Sequence, residues 1–525
     1  MNTEVLLNLQ ELGMLVLIIA IVVAVVARRL RLPYTIGLVL IGAGMTFLNL
    51  SDFHVTPELI LFVLVPPLLY EAAYHLQLED LRKNIVPILT WAIPGVIITT
   101  LLVGWGVART IGISVPAAIV FGALMAATDP VAVVALFKSQ GVPKRLRVLL
   151  EGESLFNDGT AIVVFGVALA IAKTGDFNLQ AGIVDFFRIA GGGLLVGLIV
   201  GLLSTTVLAR VNEHLVETTI TFISAYGAFM AGESLHVSGV LAVVTAGLIV
   251  GNFGHKHMSP TTRIAVISFW EFVSFLANSF VFLLIGLEVN VLVLLENWRP
   301  ILLAIGAVLV VRALVIYTSS LFLRTIPRAW QHIMVWGGLR GAISLALALS
   351  LPLSLGAERS QIQAMTFGVV LFTILIQGFS MSPVLRKLGV VKNVEDRTEF
   401  EFRRAQAVAS RASLDRAKEM YQQGLISHIS WEIISKVLEE RSSRLSAQSA
   451  DWLELHPELA FEELDDTWRE MLRVQRNTSL QLLTNDVISE ETYQRITTQI
   501  DTALAKEQIA WQKISDIESD IKNTN

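Results

Sequence analysis

The sequence predicts an all-α polytopic membrane protein of about 13 transmembrane helices, arranged as two inverted six-helix repeats with interrupted helices and followed by a helical cytoplasmic tail. Three observations predict it. The chain is 54% hydrophobic and 16% charged, with a mean hydropathy of +0.63, where soluble domains carry about 25% charged residues. The apolarity is concentrated in residues 1–385, and charge density rises only in residues 386–525. Within the apolar part, basic residues cluster at alternate ends of successive apolar runs.

A helix crosses the hydrocarbon core with about 20 apolar residues. On that rule the spans fall near 12–27, 34–49, 57–75, 86–108, 116–138, 149–172, 187–209, 216–234, 236–254, 264–289, 300–322, 330–352 and 361–382. Arg28, Arg29, Arg31, Arg82, Lys83, Lys138, Lys144, Arg145, Arg147, Arg210, Lys256, Arg263, Arg324, Arg328, Arg386, Lys387 and Lys392 follow odd-numbered spans. Only Arg109, Lys173, Arg188, Arg299 and Arg359 lie on the other side. The bias puts the N-terminus outside and the tail in the cytoplasm. The opening MNTEVLLNLQELGMLV has no basic stretch and no small-residue cleavage site, so a removed signal peptide is not expected. With no cysteine, disulfides, thiolate metal sites and cysteine nucleophiles are excluded. A net charge of −5 without a basic stripe argues against nucleic acid as a partner. Lipid is the expected surrounding.

With 13 spans, 1–6 and 8–13 form the two halves, and span 5 becomes the counterpart of span 12. Both carry helix-breaking residues at mid-depth. Pro130 has no N–H to donate and disfavours a helical Asp129, while Gly337, Gly338 and Gly341 surround Arg340. Paired interruptions in corresponding segments point to a midplane binding site. In span 7, Gly193, Gly197 and Gly201 form a ridge that admits close helix approach, either as a dimer seam or as internal packing.

Two acidic motifs sit inside these apolar runs. Asp129 lies within PAAIVFGALMAATDPVAVVALF, and Asp158 falls about midway between Arg147 and Lys173. An ionised carboxylate at the centre of a membrane helix costs roughly 2.5–3.5 kcal/mol, so something cationic is expected there. Ser154, Asn157 and Asp158 are spaced to share one helix face. They could instead cap a helix starting near Leu155, but the apolar stretch after Asp158 is too short to span alone. Hard cations need oxygen ligands. An unwound Thr128 offers a carbonyl and a hydroxyl, Asp158 a carboxylate, Ser154 a hydroxyl, and Asp129 a second carboxylate or a helix-dipole partner. Glu71 either lines the cytoplasmic approach or pairs with Arg82 at the interface. Arg312 and Arg340 are also intramembrane, and each is expected to meet an acid. Glu153 points away from the Asp158 face, which suits it to a structural ion pair.

The tail pattern predicts helices near 398–423, 429–445, 458–482 and 489–515. GLISHISWEII and DVISEETYQRI each place Ile-Ser four residues before an aromatic and Ile three beyond it, which suggests a repeated hairpin.

These residues together resemble the NhaP-type sodium/proton antiporters of the monovalent cation:proton antiporter family. The matching pieces are PPLLYEAA (66–73), ATDPVAVVALFK (127–138), LEGESLFNDGTAIVVF (150–165), LHVSGVLAVVTAGLIVGN (235–252), FLLIGLEVN (282–290) and GGLRGAISLALAL (337–349). The resemblance implies a homodimer in the inner (plasma) membrane, each chain with a six-helix transport core and a dimer domain. It implies Na⁺ (or Li⁺) at Asp158, with Asp129, Ser154, Thr128 and Glu71 around it. It also implies Glu153 and Arg312 as an ion pair and Arg340 beside the crossed helices. Related electrogenic exchangers carry Asp-Asp where this chain has Asn157-Asp158, so one-for-one exchange is implied. No cofactor is expected beyond the transported Na⁺ and H⁺, and no enzymatic activity. The alternatives are a K⁺/H⁺ antiporter of the same fold, an intramembrane aspartyl hydrolase using Asp129 and Asp158 as a dyad, and a receptor that signals through its tail. The hydrolase is disfavoured by Pro130 and by the absence of a Gly-x-Gly-Asp element.

Overall fold

The computed structural model describes residues 14–505 apart from 15–16, 24, 27–28, 30–33, 48–55, 175–178, 212, 255–257, 289–290, 324–325, 392–393 and 456. Arg28, Arg31, Lys256, Arg324 and Lys392 of the charge alternation lie outside the described residues, as does the end of the last predicted tail helix. The chain divides into two compact units, Met1–Lys392 and Asn393–Asn525. All regular structure among the described residues is helical.

The first span is described in part, with 17–23 helical. Then come α1 (Tyr34–Phe47), α2 (Val65–His75), α3 (Leu78–Lys83), α4 (Ile85–Ala92) and α5 (Pro94–Ile111). A wide π-turn over Leu59–Leu64 leads into α2, because Pro66 and Pro67 cannot donate to the turn before them. The Val63 carbonyl, left without Pro67 as donor, accepts instead from the Tyr226 hydroxyl at 2.9 Å. Pro94 likewise divides the fourth span into α4 and α5 and occupies the first turn of the second piece, where its missing N–H costs nothing.

The fifth span is broken into α6 (Val115–Leu124) and α7 (Val131–Ser139). Beyond it run α8 (Lys144–Thr174), α9 (Leu179–Leu208), α10 (His214–Ser234), α11 (Gly239–Phe253), α12 (Pro260–Leu287) and α13 (Trp298–Leu323). The twelfth span is broken into α14 (Arg328–Trp336) and α15 (Ala342–Leu349). The thirteenth comprises α16 (Ala357–Phe372), a π-turn at Thr373–Gln377, and α17 (Gly378–Lys387). Every predicted span thus has a helical counterpart. Among the described residues, six helices are long and apolar enough to cross a membrane unaided, and Tyr34–Met45, Leu59–His75, Val115–Leu124 and Gly239–Phe253 are shorter apolar helices. Spans 8 and 9 are separate helices, parted where His236 takes a left-handed φ of 54°.

These helices pack as two groups. The first, α4–α8 with α13–α17, contains both broken spans. The second contains α1, α2 and α9–α12. Gly193, Gly197 and Gly201 of α9 lie against the backbone and side chains of α11 at Ser238, Ala242, Ala246 and Ile249. The glycine ridge is therefore internal packing, and it leaves the opposite face of α9 (Phe187, Leu195, Leu203) exposed.

The tail unit is two hairpins, α18 (Val394–Gln422) with α19 (His428–Leu455), and α20 (Pro457–Thr484) with α21 (Glu490–Ala505). Their turns are copies of one design. Gly424 and Asp486 both take the left-handed conformation, at φ 69° and 56°. Leu425 N–H and Val487 N–H donate back to Met420 and Leu482 carbonyls, at 2.9 and 2.8 Å. Ser427 and Ser489 then accept from the N–H three residues on, capping the second helix of each pair. The repeat suggested by the Ile-Ser-aromatic pattern is real in three dimensions.

Candidate functional site at the crossed helices

Residues 125–130 and 337–341 are the non-helical segments of the broken spans. They meet. The Asp129 N–H donates to the Leu339 carbonyl at 2.9 Å, and the Ser344 hydroxyl donates to the Leu124 carbonyl at 2.7 Å, closing the C-terminal end of α6. The Arg340 N–H is held by the Thr373 hydroxyl at 3.1 Å. The Asp129 carboxylate accepts from the Val131 N–H at 2.9 Å and also from the Ala342 N–H. It thus lies between the N-terminal ends of α7 and α15, where helix dipoles favour negative charge. Of the two sequence readings of Asp129, this geometry is that of the helix-dipole partner.

The helix carrying the second acidic motif begins at Lys144, so Ser154 and Asn157 stand well inside α8 and cap nothing. Both face the first break. The Thr128 and Ser154 hydroxyls are 2.8 Å apart. The Asn157 amide donates to the Thr128 hydroxyl at 2.6 Å, and its oxygen accepts from the Thr128 N–H at 3.3 Å. Asn157 therefore ties α8 to the break through both ends of one amide.

Asp158 is buried, 7% exposed, and lines a cavity of about 80 Å³ between the two helix groups. That is room for several water molecules. The first group contributes Thr128–Val131, Glu151, Leu155 and Gly341–Ser344 to the lining. The second contributes apolar residues of α2 and Asn278 of α12. No hydrogen bond reaches the Asp158 carboxylate among the described residues. The charges that act on it are those of Asp129, Glu153 and Arg340.

Glu153, one turn away, is bound differently. Both its oxygens meet the Arg312 guanidinium, Oε1 with Nη1 and Oε2 with Nη2, the latter at 2.8 Å. Arg312 Nη2 also donates to the Met334 carbonyl at 3.1 Å, in the last turn of α14. Gly338 packs against this guanidinium with no room for a side chain. Arg340 departs from expectation. It is 1% exposed but meets no acid directly among the described residues. Its Nη1 donates to the Gly338 carbonyl at 2.6 Å, because the break exposes carbonyls closer than any carboxylate.

Glu71 is not brought into the Asp158 cavity. It lies 3.3 Å from His75 Nδ1 and accepts from the Ser274 hydroxyl at 3.5 Å, so the Arg82 pairing does not form. Sequence reading missed Asn278, Ser344 and Glu151. Asn278 carried a signal, an amide in the middle of a long apolar run, that was overshadowed by the ionised groups.

Residues 15–387 match the family described as sodium/hydrogen exchanger, transmembrane. The chain belongs to the sodium/hydrogen exchanger family. It is 42% identical over 393 residues to a Na⁺/H⁺ antiporter, ApNhaP, of Aphanothece halophytica, covering 74% of each chain. It is 35% identical over 496 residues to the Na⁺/H⁺ antiporter NhaG of Bacillus atrophaeus, covering 92% of this chain and 94% of that one. Among solved structures, the sodium proton antiporter MjNhaP1 of Methanocaldococcus jannaschii shares the fold, with a TM-score of 0.64 at 22% identity over 74% of this chain and 99% of that one.

In this exchanger chain, removing one partner of the Glu153–Arg312 pair strands a buried charge at a cost of about 3–5 kcal/mol. Glu153→Gln is expected to lower yield and melting temperature in detergent, with partial recovery when Arg312→Gln is added. Losses that simply add in the double variant would show that the two side chains stabilise the fold independently.

Proposed function

We propose that the chain exchanges Na⁺ for H⁺ across the membrane by alternating access, with Asp158 binding one or the other. The observation that carries this is the Asp158 carboxylate itself, buried in a cavity beside an unwound backbone and without a hydrogen bond among the described residues. A carboxylate in that setting needs a proton or a metal cation to offset its desolvation. The Thr128 carbonyl and the Ser154 hydroxyl are the neighbouring oxygens for Na⁺, with Asp129 adding negative field from the break and Glu71 standing further out toward the cytoplasm. Asp129 is committed to two backbone N–H groups, which speaks against a proton-sharing dyad of the hydrolase kind.

The charges at mid-depth support electroneutral exchange. Asp129, Glu153 and Asp158 against Arg312 and Arg340 leave one net negative charge when all are ionised. One H⁺ or one Na⁺ brings the site to neutrality, so both loaded forms cross at the same charge. Asn157 holds the break with a neutral amide where a second carboxylate would add another titrating group. The cavity reaches from Asp158 toward Leu76 and Glu151, at the ends of their spans that the charge bias assigns to the cytoplasm, so the arrangement reads as inward-facing. The chain is proposed to work as a homodimer in the inner membrane with the N-terminus outside. Its transport part is 1–385, and its tail, 386–525, is a cytoplasmic regulatory domain.

In proteoliposomes with a preset pH gradient, NaCl is expected to dissipate the gradient with the wild-type chain and not with Asp158→Asn. A variant exchanging at the wild-type rate would remove Asp158 from the role of carrier. Because Na⁺ and H⁺ compete for one group, apparent Na⁺ affinity is expected to fall as pH falls.

A valinomycin-set potential of about 100 mV is worth roughly 2.3 kcal/mol per net charge moved. The Na⁺/H⁺ equilibrium is expected not to respond to it. A shifted equilibrium would reveal a second charge carrier in the cycle.

Truncation at Asn393 removes none of the site residues. The shortened chain is expected to retain exchange with an altered rate or pH profile, measured in the same vesicles. Complete loss at every pH in a correctly inserted protein would place an essential element in the tail.

A further inference from the structure

On α12, Glu271, Ser274 and Asn278 fall at i, i+3 and i+7, one stripe along a helix whose inner end, Asn278, lines the site. The stripe belongs to the second helix group, across the cavity from Asp158. Glu271 is exposed and near enough to Glu71 for its charge to act on it, so the outer end of the stripe carries two acidic side chains. Ser274 and Asn278 are buried, 8% and 5% exposed. The Asn278 amide donates to the Ser274 hydroxyl at 3.4 Å, and the Ser274 hydroxyl donates to Glu71 at 3.5 Å. Both contacts are long for hydrogen bonds, but their direction is set by their end. An ionised carboxylate only accepts, so Ser274 must donate to it, and the serine lone pair is left to accept from the Asn278 N–H. The Asn278 carbonyl oxygen is thereby turned to the cavity that Asn278 lines.

Three other asparagines in this unit are used differently. Asn84 donates to the Asp80 carbonyl and accepts from Arg145. Asn157 bonds Thr128 through both ends. Asn252 donates to the Leu76 and Leu248 carbonyls and accepts from the Leu78 N–H. Each of these is consumed in holding structure. Asn278 has an oxygen with no hydrogen-bond partner among the described residues. That oxygen opens to the cavity Asn278 lines, where a water or a cation can meet it.

We propose that Asn278 is a cation ligand contributed by the second helix group, the inner end of an oxygen path that runs from the Glu71–Glu271 pair past Ser274 to Asp158. The inference rests on the Na⁺/H⁺ exchange reading above and deepens it. The carboxylate pair concentrates cations at the mouth. The Asn278 oxygen then replaces part of the hydration shell before the ion reaches Asp158, a step for which hard cations require further oxygens. A proton needs no such coordination, so Asn278 weighs on Na⁺ and not on H⁺.

The test measures Na⁺-dependent and Li⁺-dependent exchange in proteoliposomes at fixed pH for wild type, Asn278→Leu and Asn278→Asp. Asn278→Leu is expected to raise the apparent KM for Na⁺ by about tenfold, in the range of one lost ligand contact, with the maximal rate at saturating Na⁺ retained. Asn278→Asp keeps an oxygen at the position and is expected to hold the KM at or below the wild-type value, which a purely structural role for the amide would not produce. An unchanged KM in Asn278→Leu beside an active wild type overturns the inference while leaving the exchange reading intact. Absence of exchange in the wild type overturns the reading itself. If Asn278→Leu does not fold, Asn278→Ala takes its place, and equal KM values for Ala and Asp overturn the inference as well.

Discussion

A membrane interior offers no water to the ends of a broken helix, and this constraint shapes the first helix group. Each break leaves backbone donors and acceptors unmatched where they cost several kcal/mol apiece. The two breaks satisfy each other. Asp129 N–H meets the Leu339 carbonyl, Ser344 closes α6, Arg312 closes α14, and the Asp129 carboxylate gathers N–H groups from α7 and α15. Neither break is satisfied alone. Their crossing therefore has one register, and that register sets what stands opposite Asp158.

Two carboxylates five residues apart on α8 acquire opposite duties from this arrangement. Glu153 is held by two nitrogens of an arginine that is itself anchored to backbone, a bidentate structural pairing. Asp158 receives no such partner. The chain places an anchored arginine against one acid and leaves the other open to the cavity. Arg340, satisfied by a carbonyl of its own break, supplies positive field without occupying the site. An arginine clamped directly on Asp158 would compete with every transported ion.

The sequence made much of this legible, for a physical reason. Apolar runs of spanning length, basic residues at alternate ends, a proline after Asp129 and glycines around Arg340 are local signals of membrane depth and broken backbone. They located both breaks. What remained hidden depends on distances between helices. The partner of Arg340 is a carbonyl that exists only because the break exposes it. Ser154 and Asn157 share the helix face inferred from spacing, yet they turn to Thr128 while Asp158 opens to the cavity, a distinction of a fraction of a turn. Glu71 was drawn inward by its acidity, whereas Ser274 and His75 hold it further out. The glycine ridge of α9 suits either a dimer seam or internal packing in the sequence, and the α11 backbone lying on it decides for packing.

The glycine contacts also separate rigid from yielding packing. Where a Cβ would strike the backbone of another helix, the two helices belong to the same group: α9 on α11, Gly42 of α1 on Gly286 of α12, Gly122 of α6 on Thr100 of α5, and Gly251 of α11 on Tyr74 of α2. Across the boundary between groups, Gly159 of α8 meets only the side chain of Leu241. Backbone-to-backbone contact locks helices together because neither side can yield. Side chains that meet across a boundary can change rotamers and slide. Each group is thus built as a stiff body with a yielding seam between them, and Asp158 lies on that seam. On the alternating-access proposal, displacement along this seam carries the crossed helices and their carboxylate as one piece past the α2 and α12 wall, without disturbing the hydrogen bonds that hold the breaks.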